Sequence, residues 1–552
     1  MQSEPQSLPF ANLLNDIEKG TVKVPQFQRQ FVWPKQKAAD LLDSILKGYP
    51  IGTFILWKTK ETLRSVRSIG GAVLPVTPDG DFTEYVLDGQ QRLTSLFAAV
   101  KGLKIDRDDS TDDFANIFIN LNSDDNDTIV VIDSGDMLGE DVISIYDLVN
   151  GSLKSLFQYP ERHHQRLSDL KSRISSYTFS TILVKEAMID VATEIFTRIN
   201  VTAKPLSVFE IMVAKTFDSE HDFDLAEQYE MLIDSLGEVN YDTVSDAAVL
   251  QTVSCIIAQE CDKKTILRLD KSKFVEMWPT AYDAIERAVD YFRSYFRIPV
   301  SALLPYGALI VPFAYFFFRH KDKPLGDMQK RLQDFFWRVS LTGRYSYSLE
   351  SRIAQDLKRI DCIVKGDEPT YDQPVDISPE FIMENGAFNA GRSYIKALLC
   401  VLVHAQPKSF VDNAHVIISN DWLKQANSRN YHHFFPKAYL KRAIGDSWRI
   451  NHIANITIVD DFLNKRVIRD KAPSKYMAQF AHHNDDLAAT MQTHLIDMDK
   501  GKVWEDNYEA FLIARCKRFS KELKKRIIPQ PVDDLRQTLG EDNSDESIVL
   551  QD

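Results

Sequence analysis

Tyr85-Val86-Leu87-Asp88-Gly89-Gln90-Gln91-Arg92 runs directly into Leu93 to Val100. The apolar triplet reads as a buried strand, Asp-Gly as a turn, and Leu93 to Val100 as a helix. Strand, glycine turn and helix N-terminus together make an anion site, because the first N–H groups of a helix lack intrahelical acceptors. Arg92 adds a planar fork for phosphate, and Asp88 offers a carboxylate to a cation or a water. The plain alternative is an ordinary strand–turn–helix with solvated polar residues, and a bare Asp-Gly pair would favour it.

The flanking chain weighs against that alternative. Upstream, Val24-Pro25-Gln26-Phe27-Gln28-Arg29-Gln30-Phe31-Val32-Trp33 leads into Lys35 to Lys47, where Leu41, Leu42 and Ile45 share a helical face. Gly48-Tyr49-Pro50 stops that helix, and Thr53 to Trp57 reads as a buried strand. Downstream stands Phe196-Thr197-Arg198-Ile199-Asn200, followed by Pro205-Leu206-Ser207. Gln28-Arg29, the Pro50-Ile51-Gly52 turn, Asp-Gly-Gln-Gln-Arg and the Phe-Thr-Arg-Ile-Asn run together resemble the N-terminal domain of the GmrSD family. The resemblance covers roughly the first 215 residues. It implies a ParB/sulfiredoxin-like fold that binds and hydrolyses a nucleoside triphosphate, whether GTP, UTP, CTP or ATP. Nucleotide-binding roles carry over to Asp88, Gly89, Gln90, Gln91 and Arg92, and to Gln28, Arg29, Arg198 and Asn200.

A second constellation lies near the other end. His433 sits in Tyr431-His432-His433-Phe434-Phe435-Pro436, and Asn455 and Asn464 stand 22 and 31 residues further on. Asn451 to Val459 alternates apolar and polar residues around Asn455, as a strand leaving a turn would, and Asp460-Asp461 precede a short helical stretch. An imidazole on a strand, an amide in a turn and a second amide on a helix suit one divalent cation beside a neutral histidine that activates water. Paired histidines among aromatics are also ordinary core residues, and asparagines are common in turns. The run resembles the HNH-type (ββα) nuclease domain at the C-terminus of GmrSD-like restriction proteins, which include SspE-like and BrxU-like fused proteins. That likeness makes His433 the general base, Asn455 the amide that orients its imidazole, and Asn464 the last metal ligand. An acidic residue usually precedes the histidine. Here it is His432, which binds a metal without adding negative charge.

Composition is compatible with such an enzyme. The 552 residues allow two or three domains, and 44% hydrophobic with 26% charged residues describes a globular protein. No basic leader precedes an apolar stretch, and Ala302 to Phe318 is interrupted by Pro305, Gly307 and Pro312, so a buried helix is expected rather than a membrane span. Five cysteines without a Cys-x-x-Cys pair speak against a four-cysteine zinc site and suit a reducing cytoplasm. The net charge of −13 hides an uneven distribution, because Asp421 to Met477 holds 11 Lys or Arg against 5 Asp or Glu. Lys437, Lys441, Arg442, Lys465 and Arg466 are the expected DNA contacts, and Arg515 to Arg526 adds seven cations opposed only by Glu522. Such contacts hold phosphate with little sequence preference and weaken as salt rises. For the second stretch, a solvated helix face is an equal alternative.

The expected organisation is α+β, with strands near Thr53–Trp57, Tyr85–Leu87, Ile117–Leu121 and Thr181–Lys185. A ParB-like nucleotide domain spans 1–215, a mainly helical connecting region 216–365, a linker 366–378, an HNH-type nuclease domain 379–530 and an acidic tail 531–552. The function expected from the resemblance is modification-dependent cleavage or nicking of double-stranded phage DNA in the cytoplasm. It would use magnesium or manganese and be regulated by nucleoside triphosphate. No membrane is involved, and a homodimer is allowed but not required. The alternatives are an SspE-like, phosphorothioate-sensing nicking nuclease with NTPase activity, and a nucleotide-gated DNA-binding regulator whose nuclease domain is degenerate.

Overall fold

The computed structural model describes residues 2–25, 31–61, 63, 68–69, 72–73, 81–106, 111–125, 127–135, 137–199, 207–218, 221–418, 431–445, 448–459 and 468–534. The chain is mixed α+β and divides into two compact units, Met1–Leu225 and Ala226–Asp552.

The first unit is built on a five-stranded sheet. Its strands are β1 (Gln2–Pro9), β2 (Val22–Lys23), β3 (Thr53–Thr59), β4 (Thr83–Asp88) and β5 (Thr178–Lys185), in the order β1-β5-β3-β4-β2. β5 runs parallel to β3 and β2 parallel to β4, while β1–β5 and β3–β4 are antiparallel. The strands expected at Thr53–Trp57, Tyr85–Leu87, Ile117–Leu121 and Thr181–Lys185 all form. The third is short (Phe118–Asn120) and belongs to a separate three-stranded sheet. β1 was not foreseen. Its residues are mostly exposed and it carries Pro5 and Pro9, so it lacks the alternation that marks a half-buried strand. An edge position tolerates such a strand, because an edge proline need not donate on its solvent side.

Two amphipathic helices cover the sheet. Lys35–Leu46 buries Leu41, Leu42 and Ile45, and Gln90–Lys101 buries nearly its whole length from Leu93 to Val100. Their apolar faces join Phe54, Leu56 and Val86 of the strands in one core. The Gln90–Lys101 helix starts after Gly89 at φ 98° and ends at Gly102 at φ 61°, both in the left-handed region where a side chain is disfavoured.

The second unit is mainly helical. Asp246–Ala258, Lys271–Ser294, Ile310–Arg319 and Gly326–Leu341 form where apolar residues recur at helical spacing. The apolar run from Ala302 breaks into two 3-10 turns before the Ile310–Arg319 helix, and that helix is buried almost throughout. Among the described residues no helix is long and apolar enough to cross a membrane.

Segment 366–378 lies inside this unit, tied down by charge. Asp372 accepts from Arg344 at 2.9 Å and from Arg352 and Arg359 at 2.8 Å, while Tyr371 lies under the Arg338 and Arg359 guanidiniums. The start of the expected loose tail is also anchored. Asp533 accepts from both terminal nitrogens of Arg338, at 3.0 and 2.6 Å, and from the Val375 amide at 3.0 Å. Acidic composition does not by itself make a segment solvated: Arg338, 2% exposed, takes Asp533 as a second carboxylate beside Asp334. Residues 535–552 lie outside the described residues.

Candidate functional site

The turn between β4 and the Gln90–Lys101 helix is rigidly built. Arg92 donates from Nη1 to the Ile51 carbonyl at 2.8 Å, and from Nη2 to the Thr53 carbonyl at 3.0 Å and Asp88 at 2.9 Å. Its guanidinium also lies 5.1 Å from the centre of the Phe54 ring. The fork expected for phosphate therefore braces the Ile51–Thr53 turn, and Asp88 is its ion-pair partner. Gln91 accepts from the backbone amides of Val32 at 2.9 Å and Trp33 at 3.2 Å, and its own amide donates to Gln90. This ties the motif to the chain that follows Gln28 and Arg29, which themselves lie outside the described residues together with Asn200. Arg198 is exposed on the Ile189–Ile199 helix and pairs with Glu194 at 2.6 Å.

Neither Gly89 nor Gly52 has room for a side chain. A Cβ at Gly89 would run into the Phe54 ring, and one at Gly52 would lie 2.5 Å from Arg92 Nη1. The two glycines bring both turns onto the same guanidinium, so the motif is read as one packed object. The helix it starts has no side-chain cap, which suits an N-terminus that receives an anion.

In the second unit, Tyr431–His433 pairs antiparallel with Ile456–Ile458, with His432 opposite Thr457 and His433 opposite Ile456. Successive strand residues face opposite ways. His432 is buried, with Nδ1 3.0 Å from the Thr457 hydroxyl, and its Nε2 is buried without a hydrogen-bond partner among the described residues. Burial pushes its pKa down to about 3, so the ring is neutral near pH 7. His433 is half-buried, and desolvation likewise lowers its pKa, to about 4. Its Nε2 lies 2.9 Å from Asn451 Oδ1, and the Asn451 Nδ2 donates to the Phe388 carbonyl at 2.9 Å.

Asn455 does something else. It is fully buried, its Oδ1 accepts from the Phe435 amide at 2.8 Å, and its Nδ2 donates to the carbonyls of Phe435 at 3.0 Å and Ile450 at 3.2 Å. The amide next to the imidazole is thus Asn451, while Asn455 staples the turn after the first strand to the start of the second. Sequence reasoning passed over Asn451, since nothing in composition separates two asparagines four positions apart. It also passed over Arg515, expected among surface cations. Arg515 is buried, donating to the carbonyls of Ala454 at 2.8 Å and His494 at 2.9 Å, and burial lowers its pKa to about 9.

Lys437, Lys441 and Arg442 are exposed on the Lys437–Ile444 helix that directly follows Pro436. Arg442 donates to Asp470 at 2.8 Å, and an open groove there is lined by Tyr439, Lys471 and Lys475. Lys517, Lys521, Lys524 and Lys525 are exposed along the last long helix. Asn464, Lys465 and Arg466 lie outside the described residues. Among the described residues, no group of three His, Cys, Asp or Glu is arranged to hold a metal ion.

Residues 10–217 match the family described as GmrSD restriction endonuclease, N-terminal domain. Over these residues the chain is similar to that domain. The matched span contains β2 to β5 and the whole Asp88–Arg92 turn. An uncharacterized protein of Methanocaldococcus jannaschii, MJ0686, is 25% identical over 527 residues, covering 85% of this chain and 86% of its own length. The likeness to that protein therefore extends through both units.

Proposed function

We propose that this GmrSD-like chain is an HNH-type endonuclease acting on modified phage DNA, with nucleoside triphosphate binding and hydrolysis in the first unit regulating cleavage in the second. The observation that carries the nuclease assignment is the pairing of His433 with Asn451. The contact engages Nε2 and leaves Nδ1 with no hydrogen-bond partner among the described residues. In hydrolysis, His433 Nδ1 takes a proton from water, the water oxygen bonds to phosphorus, and the phosphorus–oxygen bond to the leaving sugar breaks. The leaving sugar oxygen takes up a proton from solvent, and the proton on His433 is returned to solvent.

A divalent cation at this site would be held by Asn464, with water and substrate oxygens completing its shell. His432 does not fit as its second ligand: it occupies the strand position next to His433, facing the other way, and its Nε2 is buried. When bound, the cation supplies charge stabilisation at the phosphate and the leaving oxygen. Lys437, Lys441, Arg442, Lys465 and Arg466 would hold the DNA backbone. In the first unit, the uncapped helix end after Gly89 would receive the triphosphate, with Asp88 to Arg92, Gln28, Arg29, Arg198 and Asn200 around it.

The test is direct. The protein is incubated with magnesium or manganese and with unmodified, hydroxymethylated, glucosylated or phosphorothioated DNA, with and without triphosphates. Cleavage of a modified substrate that changes with nucleotide is the expected result. Binding to DNA without strand breaks across the panel would overturn the reading and leave a nucleotide-gated regulator.

A further inference from the structure

We propose that Asn451 is the positioning residue of the hairpin site, and that the Gly386–Phe388 segment is the backbone support that sets the tautomer of His433. This rests on the reading of His433 as the base.

The argument starts from a carbonyl. The Phe388 C=O can only accept, so the Asn451 group facing it at 2.9 Å is the NH₂ end. The other end of the same amide, the carbonyl oxygen, must then face His433. An acceptor opposite Nε2 requires Nε2 to carry the proton. Nδ1 therefore keeps its lone pair, the form a base needs. A backbone oxygen 45 residues away in sequence thus determines which ring nitrogen can accept a proton.

The support is fixed to the site loop at several points. The Phe388 amide donates to the Asn451 carbonyl at 2.7 Å, and the Ile453 amide donates to the Gly386 carbonyl at 2.8 Å. Ala387 and His452 form an antiparallel bridge. The His452 ring lies 3.1 Å from the Met383 carbonyl and accepts from the Ala454 amide at 3.0 Å. Gly386 is there because the two segments touch: a Cβ on it would collide with the His452 imidazole. Neither Asn451 nor this segment touches substrate in the proposed reaction. They act only through His433.

The experiment uses the full chain with ¹⁵N-labelled histidine, as wild type, Asn451→Leu and Asn451→Asp. Leucine removes both ends of the amide, whereas aspartate keeps an oxygen acceptor opposite Nε2. For wild type near neutral pH, the His433 nitrogen shifts should report the Nε2-protonated tautomer. Asn451→Leu should give a mixture of tautomers and a kcat lower by about 10- to 100-fold, the usual cost of losing a group that orients a site imidazole. Its KM for DNA should be unchanged. Asn451→Asp should retain the wild-type tautomer and most of the rate. A wild-type His433 protonated on Nδ1 overturns the proposal without any variant having to fold. Wild-type kcat in Asn451→Leu overturns it as well. The tautomer is read without turnover. If no DNA is cut, the nuclease reading fails while this measurement still decides the role of Asn451.

Discussion

Replacing Asn455 by alanine should unfold the hairpin locally instead of disabling an otherwise intact base. The side chain is fully buried and serves three backbone groups: the Phe435 amide, the Phe435 carbonyl and the Ile450 carbonyl. Each buried backbone group left without a partner costs about 1–3 kcal/mol. Three neighbours sharing one cavity do not add in full, so the expected loss is about 3–5 kcal/mol. That is a large part of the roughly 5–15 kcal/mol that holds a domain together. The assay is native-state hydrogen exchange on the full protein, following amides from 431 to 436 and from 453 to 458. A loss of 3 kcal/mol corresponds to protection lower by about two powers of ten. Amides of the first unit, the β3–β4 pair for example, should keep wild-type protection. If Asn455→Ala keeps full protection at the hairpin yet loses cleavage, the staple account is wrong, and Asn455 acts on the imidazole as the sequence reading expected.

Four further outcomes are expected. His433→Ala should abolish DNA cleavage and leave triphosphate hydrolysis intact, measured as strand breaks and phosphate release on the same preparation. Gly89→Ala places a side chain at φ 98° against Phe54, so thermal melting should show the first unit weakened by about 1–3 kcal/mol, with nucleotide turnover lost. Arg92→Met removes donors from two backbone carbonyls and the partner of Asp88. Triphosphate hydrolysis should fall with it, and unchanged hydrolysis would place the nucleotide elsewhere. The second unit should also lose stability in acid. His452 and His494 are buried with pKa values lowered to about 4, against about 6.5 when unfolded. Between those values the unfolded chain binds more protons, so stability falls as pH drops from about 6.5 towards 4, by a few kcal/mol at most. A flat urea midpoint across that window would contradict it.

The parts of the fold that could be read from sequence were those with strong local patterns. The Lys35–Leu46 and Gln90–Lys101 helices and the strands β3, β4 and β5 carry apolar residues at the spacing their burial demands. β1 could not be read, because Gln2 to Pro9 is mostly polar, proline-bearing and paired with a strand 169 to 183 residues away. The site shows the same division. The placement of His433 on a strand was legible because its neighbours Phe434, Phe435 and Pro436 make a recognisable run. Which of Asn451 and Asn455 lies against that imidazole was not. It depends on which backbone groups each amide meets after the Phe388 segment folds back, and that is tertiary information. Arg92 reads in the sequence as a phosphate fork, and in the structure its contacts with Ile51 and Thr53 make it a brace. Asp533 shows the limit of composition: a single carboxylate in an acidic stretch is drawn in by a buried guanidinium that lies far away in sequence.

The pairing of β1 with β5 has a consequence for how the protein is made. Gln2 faces Lys185 and Pro9 faces Thr178, so the two ends of that ladder leave the ribosome far apart in time. Non-local contacts of this kind form late, because a long loop must close before any of them is gained. The sheet around the Asp88–Arg92 turn therefore lacks its edge until nearly the whole first unit has been synthesised. A chain interrupted before residue 178 would present an open strand β3, ready to pair with another nascent copy.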